Sequence, residues 1–547
     1  MTQYGHEHRH ENEHDEEEQQ RGAALGIAAR ALGDRRSDVL IVGAGPTGLV
    51  LACDLARRGV RALVVERSPE LFPGSRGKGI QPRTLEVFHD LGILEQIMRW
   101  GGHAPIGMTW QGGARAGEYR MFDDAESTED APYTGPWILP QWRTQRILLD
   151  RLRELGGDVV FGAELTGLTQ DAEAVTATLI PVGGGGPVTV RAGYAVAADG
   201  GRSTVRRLVG VKMSGERVDP APMLVADVVI PTLDRENWHI FPPAAGGTGF
   251  AALCPLPHSG EFQFVAQPAP VGNEIAADDV RALVAAFTHI PAEEVTEVRW
   301  ASDFTVNAAL ADRFREGRVF LAGDAAHIHS PAGGQGLNTS VQDAYNLGWK
   351  LAAVLRDGAP EALLDTYEEE RLPNAAAMLG LSTRIHRGEE RRGAATRQLG
   401  LDQRDSSLTC ETRTGLAEDA LTAGDRAPDG RRDGLRLFDL YRGPHFTLLA
   451  VDTPLPDRLP PLPGLRTAQT GPYEAYGRGL YLVRPDGYIA WAGSADAPVD
   501  ASADDLHAWA TRVAQPDRGG SHGEGPAASG AGCSPREAGA AVSCRPA

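Results

Sequence analysis

At 547 residues the chain is too long for a single hydrophobic core, and two to four domains is the natural expectation. Its 42% hydrophobic and 23% charged content is globular, and a formal net charge of -19 argues against nucleic acid or an anionic membrane as partner. No apolar run approaches the roughly 20 residues that cross a bilayer, and five scattered cysteines without a CxxC pair suggest neither a disulfide framework nor a metal site.

The start, MTQYGHEHRHENEHDEEEQQ, is acidic and has no apolar segment, so it does not read as a signal peptide, and the cytoplasm is the expected compartment. Residues 1–36 read as a disordered extension, with His6, His8, His10 and His14 in a solvated polar tail. Order is expected from Asp38. The run Val39 to Val42 predicts a strand, and a helix with Leu49, Cys53 and Ala56 on one face should end near Gly59. A second strand, Ala62 to Val65, leads into Glu66. Between strand and helix lie Gly43, Gly45 and Gly48, with Pro46 and Thr47 in the same turn. Gly43 permits the turn, Gly45 lets a pyrophosphate reach the helix N-terminus, and Gly48 lets helix and strand pack. Glu66 can accept hydrogen bonds from ribose hydroxyls. The pattern predicts a dinucleotide site but does not separate FAD from NAD.

A helical pattern covers Trp142 to Leu155, and short strands follow to about Ala198, closing with ADGGRSTVRR around Asp199. From 223 to 267 the runs MLVADVVI, WHIF, GFAALCPL and EFQFVAQ predict an antiparallel sheet. The segment RVFLAGDAAHIHSPAGGQGLNTSVQDAYNLGWKLA, Arg318 to Ala352, then reads as strand, Gly323-Asp324, a Pro/Gly-rich loop, and a helix from near Leu337-Asn338. Such a strand delivers a carboxylate to a polyol, and the uncapped helix start faces negative charge on a flat ring. Helices continue to about 395. After a polar linker at 396–423, GDRAPDG opens a third region with strand candidates HFTLLAVD and GLYLVRPDGYIAWAG and a helix near Asp504 to Val513. The Gly/Ala-rich tail, 518–547, reads as disordered.

Taken in order, GxGxxG, Asp199-Gly200 and Gly323-Asp324 resemble the class A FAD-dependent aromatic hydroxylases, the para-hydroxybenzoate and phenol hydroxylase group, over residues 38–395. The runs SRGKGIQPRTLEVF, LPQWRTQRIL and GDAAHIHSPAGGQGLNTSVQDAYNLGWKL are similar to the bacterial branch that tailors aromatic polyketides and degrades substituted phenols. The resemblance implies an α/β fold: a Rossmann-like FAD-binding domain (38–222 and 301–395, with substrate-domain segments near 100–140), an inserted antiparallel substrate sheet (223–300), and a thioredoxin-like C-terminal domain (424–515). That last region contains no cysteine, which excludes thiol redox chemistry there and leaves packing or a homodimer contact as its role.

The resemblance also implies residue roles. Glu66 would hold the adenosine ribose, with Arg67 beside it, and Leu165 would offer backbone to adenine. Arg76 would lie near the FAD diphosphate and the nicotinamide route, and Gln141 near the ribityl chain. Asp199 belongs to the second motif; Gly323 and Asp324 would bind the ribityl chain. Pro331 would line the reactive face of the ring, with Gly336, Leu337 and Asn338 at its pyrimidine edge. Gln145 departs from the Glu that many relatives carry. FAD, with NADPH or NADH and O₂ as co-substrates, would then hydroxylate a small phenolic or polycyclic aromatic substrate through a flavin C4a-hydroperoxide. Baeyer–Villiger insertion or epoxidation, and a flavoprotein reductase or non-oxygenase on the same fold, remain open alternatives. No catalytic base is assigned: His239, Asp227 and Tyr133 are pocket candidates, and His327 and His329 read as loop-structural.

Overall fold

The computed structural model describes residues 37–514, apart from 124, 244–248, 270–274, 433 and 496–498. The expected N-terminal extension with its histidines and the tail 518–547 lie outside the described residues. The chain divides into two compact units, one running to Arg356 and adding Tyr367–Gly400 and Arg442–Pro444, the other made of Asp357–Thr366, Leu401–Tyr441 and the chain from His445.

In the first unit, the strand Ser37–Val42 pairs in parallel with Ala62–Glu66 on one side and Val188–Ala197 on the other. Val159–Phe161 and Val319–Leu321 extend this core in parallel at its two ends. Its strands are buried on both faces, which is why they read as continuous apolar runs: Val39, Leu40, Ile41, Val64 and Val65 are all inaccessible to solvent. A hairpin of Ala163–Gln170 and Val175–Pro181 runs antiparallel along Val188–Ala197. The crossover helix Pro46–Arg57 packs on the long helix Gly336–Arg356. Gly348 makes that approach feasible, since a Cβ there would stand 2.2 Å from the buried Asp54 carboxylate.

The second sheet of this unit has eight strands in the order 327–328, 297–311, 213–229, 261–267, 250–255, 237–241, 106–111 and 114–119. All neighbours are antiparallel except Asn237–Phe241, which pairs in parallel with Ile106–Gln111. The helix Ala277–Phe287 covers one face, where Leu224, Ala226, Val228, Phe262, Phe264, Val280 and Val284 form the core. Strand alternation therefore turns Asp227 and Gln263 to the opposite face.

The second unit is built on a mixed five-stranded sheet, ordered 410–411, 489–493, 479–483, 447–451 and 466–470, in the thioredoxin-like arrangement. Tyr481 and Trp491 fill its core, and the helix Val499–Ala514 is tied on by a hydrogen bond from Trp509 Nε1 to the Leu408 carbonyl at 2.8 Å. The segment 396–423 supplies its edge strand, Cys410–Glu411. Cys410 is the one cysteine of this unit among the described residues. No described helix is long and apolar enough to cross a membrane.

Candidate functional site

Three loops meet at the C-terminal ends of the parallel strands, where ligands of open α/β sheets bind. The first and third need glycine for a specific steric reason. Gly43 has φ +107°, and a Cβ on it would lie 2.3 Å from the Ala198 carbonyl oxygen; one on Gly48 would lie 2.0 Å from the Gly43 carbonyl oxygen. A Cβ on Gly45, by contrast, meets no atom within 4 Å. Gly45 is also the N-cap of Pro46–Arg57, and no side chain caps that helix. Its first N–H groups therefore lack intrahelical partners and favour an anion.

Glu66 is aimed by backbone donors: it accepts from Ala44 N–H and from Ser68 N–H, both at 2.9 Å. Arg67, next to it, is exposed, whereas Leu165 is buried in the adjoining hairpin. Asp199 accepts from Thr204 N–H at 2.7 Å and Val205 N–H at 3.1 Å through Oδ2, while its buried Oδ1 has no partner. Arg206 joins this loop to the next, donating to the Gly201 carbonyl at 2.9 Å and the Ala325 carbonyl at 2.8 Å.

Gly323, at φ +62°, is pressed against the glycine-loop helix; a Cβ there would stand 2.5 Å from Thr47 Oγ1. Asp324 follows. Its side chain is open to solvent yet deep among protein atoms, and desolvation holds its carboxyl above the ordinary value against the pull of His327 and Arg76. No hydrogen-bond or ion-pair partner for that carboxylate occurs among the described residues. Arg76 reaches toward it, stacked between Phe72 and Trp300 (5.3 and 5.5 Å to the ring centres) and donating to Ser302 Oγ at 3.0 Å.

The third loop is tied to the SRGKG segment. Gln141, the first residue of the helix Gln141–Glu154, accepts from Gly77 N–H at 3.0 Å and donates to Gln145 at 2.8 Å. Arg143 points elsewhere, over the rings of Trp100 and Trp142. Gln145 is buried with its Nε2 unpartnered, which is the local consequence of glutamine at this position. Asn338 accepts from Gln81 N–H at 2.8 Å and donates to the carbonyls of Gly79 and Gly334 at 2.9 and 2.7 Å. Leu337 lies against Gly77, Pro331 is exposed, and Gly336 opens the helix.

A buried network that pattern reading misses holds this loop. Asp343 accepts from His327 Nε2 at 2.5 Å, from Gly323 N–H at 3.0 Å and from Arg371 at 2.9 Å, and His329 is bonded to His327 at 2.9 Å. Burial and the neighbouring His327 push the His329 imidazole down to about 3, so it stays neutral. Of the suggested bases, His239 is fully buried between Trp110 Nε1 at 3.0 Å and the Asp234 carbonyl at 2.9 Å, a structural arrangement. Asp227 is buried and accepts two hydrogen bonds from Ser75.

The open position at Gly45, the uncapped helix start, the unpartnered Asp324 carboxylate and the orphan Asp199 oxygen make a donor and acceptor set that fits a flavin dinucleotide. Family comparison agrees. Residues 36–382 match the FAD binding domain model, and 421–516 match the model of the aromatic-ring hydroxylase C-terminal region. The chain belongs to the FAD-dependent aromatic-ring hydroxylases. A flavin-dependent monooxygenase of Mycobacteroides abscessus is 47% identical over 464 residues, covering 82% of this chain and 96% of that one. A 12-dehydrotetracycline 5-monooxygenase/anhydrotetracycline 6-monooxygenase of Streptomyces rimosus is 34% identical, covering 87% and 99%. The crystal structure of aklavinone-11 hydroxylase with FAD and aklavinone superposes with a TM-score of 0.72 at 29% identity, covering 88% and 99%. This hydroxylase is thus a flavin-dependent monooxygenase, with FAD as its cofactor.

Proposed function

We propose that the enzyme hydroxylates a phenolic or polycyclic aromatic substrate of the polyketide type, consuming NAD(P)H and O₂. The observation that carries the site assignment is Asp324: an unpartnered carboxylate at the end of a parallel strand, beside Gly43–Gly48 and ahead of the helix start at Gly336. In this reading the first turn of Pro46–Arg57 holds the diphosphate, and Glu66 holds the adenosine ribose with Arg67 alongside. Leu165 offers backbone to adenine. Arg76, Gln141 and Asp199 border the middle of the cofactor, with Gly323 and Asp324 on the ribityl hydroxyls. Pro331 lines the reactive face, and the N–H groups of Gly336, Leu337 and Asn338 meet the pyrimidine edge, where the helix dipole favours negative charge.

FAD supplies the two-electron relay from NAD(P)H to O₂; one oxygen atom enters the ring C–H bond and the other leaves as water. The chain supplies position, exclusion of water and fixed dipoles. The named relatives act on tetracycline-type and aklavinone substrates, which supports a fused aromatic substrate here. An NADPH-versus-NADH oxidation screen over phenols and anthraquinone-type polyketides, with products made under ¹⁸O₂, tests the reading. Substrate-stimulated oxidation with one labelled oxygen as a new hydroxyl is expected. Ring expansion or an epoxide would indicate the other insertion chemistries, and tight FAD without substrate-stimulated oxidation would defeat the oxygenase reading.

A further inference from the structure

The SRGKG segment lies along one transverse row of the eight-stranded sheet. Trp300, Asp227, Gln263 and Cys254 are successive cross-strand partners. The pairing of His239 with Leu253 sets Trp238 beside Cys254, and Trp238, Gly107 and Tyr119 continue the row. Above it, Phe72 and Arg76 meet Trp300, Ser75 bonds to Asp227 and Gln263, and Lys78 bonds to Gln263 Oε1. Lys78 Nζ also stands 4.5 Å from the centre of the Trp238 ring. At the far end of the row Gly107 has no side chain, and the Tyr119 ring lies over it.

The charges along this row do not balance. Among the described residues Lys78 has no carboxylate within ion-pairing distance and one acceptor, Gln263 Oε1, so two of its three N–H donors have none there. The Asp227 carboxylate acts on it, but that group is turned to the Ser75 N–H and O–H. Burial pushes the Cys254 thiol up to about 11, so it is neutral. The remaining charged group facing Lys78 is a second cation, Arg392, which is within electrostatic reach of Lys78 and of Tyr119 and lies 5.7 Å over the Phe122 ring. Burial first, and then Arg392, lower the Lys78 ammonium from its ordinary value. Two cations without an ion-pair partner among the described residues, beside Trp238, Tyr119 and Phe122, in a chain of net charge -19, make a site for a flat ring bearing one negative oxygen.

We infer that Lys78, supported by Arg392, binds an ionised oxygen of the aromatic substrate, so that the pocket selects acidic phenols or enols over neutral arenes. This deepens the proposed function and rests on that reading of the pocket. An ionised ring is also the more electron-rich one, so the same contact would present the reactive form.

The test is equilibrium binding of alizarin, a hydroxyanthraquinone whose anion absorbs at longer wavelength than its neutral form, to the flavin-loaded enzyme without NAD(P)H. Wild type should bind the anion at a pH where the free dye is still neutral. Lys78→Met should weaken binding about tenfold to a hundredfold, the worth of a charge-assisted hydrogen bond, and return bound dye to its neutral form. Lys78→Arg should keep the anion band, and Arg392→Gln should weaken binding by less than Lys78→Met. Flavin absorbance in the same samples separates this from failure of the wider reading, because turnover plays no part. An unchanged anion band in Lys78→Met, neutral dye on wild type, no binding to wild type, or loss of flavin from Lys78→Met would each overturn the assignment.

Discussion

Asp227→Asn offers a quantitative check on the floor of the pocket. Burial, reinforced by Glu261, pushes the Asp227 carboxyl from 3.8 to about 6 despite two hydrogen bonds from Ser75. The side chain is 1% exposed, so solvent screening does little to relieve this. That rise corresponds to roughly 3 kcal/mol of cost at neutral pH for keeping the group ionised in the fold. The folded carboxyl takes up a proton where the unfolded one is still ionised. Its stability contribution is therefore complete below the unfolded value and is lost as pH rises through about 6. From about pH 7.5 down to about pH 5, wild type should gain roughly 1.4 kcal/mol relative to Asp227→Asn. Asparagine keeps an oxygen for Ser75 N–H and brings an N–H for Ser75 Oγ, so the variant should fold. Urea unfolding of both proteins at the two pH values measures the difference of differences. Parallel pH dependence, or wild type falling relative to the variant on acidification, would refute the argument.

Other substitutions separate fold from cofactor site. Gly45→Ala places its Cβ where no protein atom lies within 4 Å, so apo stability should stay within about 0.5 kcal/mol while FAD affinity falls at least about tenfold. Gly48→Ala meets the Gly43 carbonyl and should instead lower the unfolding free energy by about 1–3 kcal/mol; equal stabilities for the two variants would contradict this. Arg371→Met takes the guanidinium from the buried Asp343 carboxylate and leaves it His327 alone among its charged side-chain partners in the described residues, at a cost of about 3–5 kcal/mol by denaturant titration. Because Asp343 also holds Gly323 N–H, flavin release should accelerate in that variant, as followed by flavin fluorescence.

Much of the cofactor half was legible because its signals are local. A glycine turn between an apolar strand and a helix announces itself within a few residues, and the strand Ser37–Val42 and helix Pro46–Arg57 lie where the periodicity placed them. The pocket floor was not legible. The strand Met213–Val229 changes register against Glu297–Ala311 at Arg217/Asp219, Asp219/Met223 and Asp227/Val228, so a strict two-residue alternation cannot be carried along it. Trp238 and Tyr119 come into one row only through the parallel pairing of Asn237–Phe241 with Ile106–Gln111, a long-range contact without a local signature. Lys78 likewise sits in a motif whose glycines explain themselves, while its own partners, Gln263 and Trp238, lie far along the chain. Asp343 and Arg371 were hidden for the same reason: each looks like a polar residue on an exposed helix until the two helices are packed.

Asp324 is the proposed anchor of the flavin. FAD titration of the apo forms of wild type and Asp324→Ala, with unfolding followed in parallel, addresses it directly. Wild type should bind stoichiometrically, and the variant should fold alike yet bind FAD about tenfold to a hundredfold more weakly, since a charge-assisted hydrogen bond to the ribityl chain is lost. Equal FAD affinity in the two proteins would contradict the assignment.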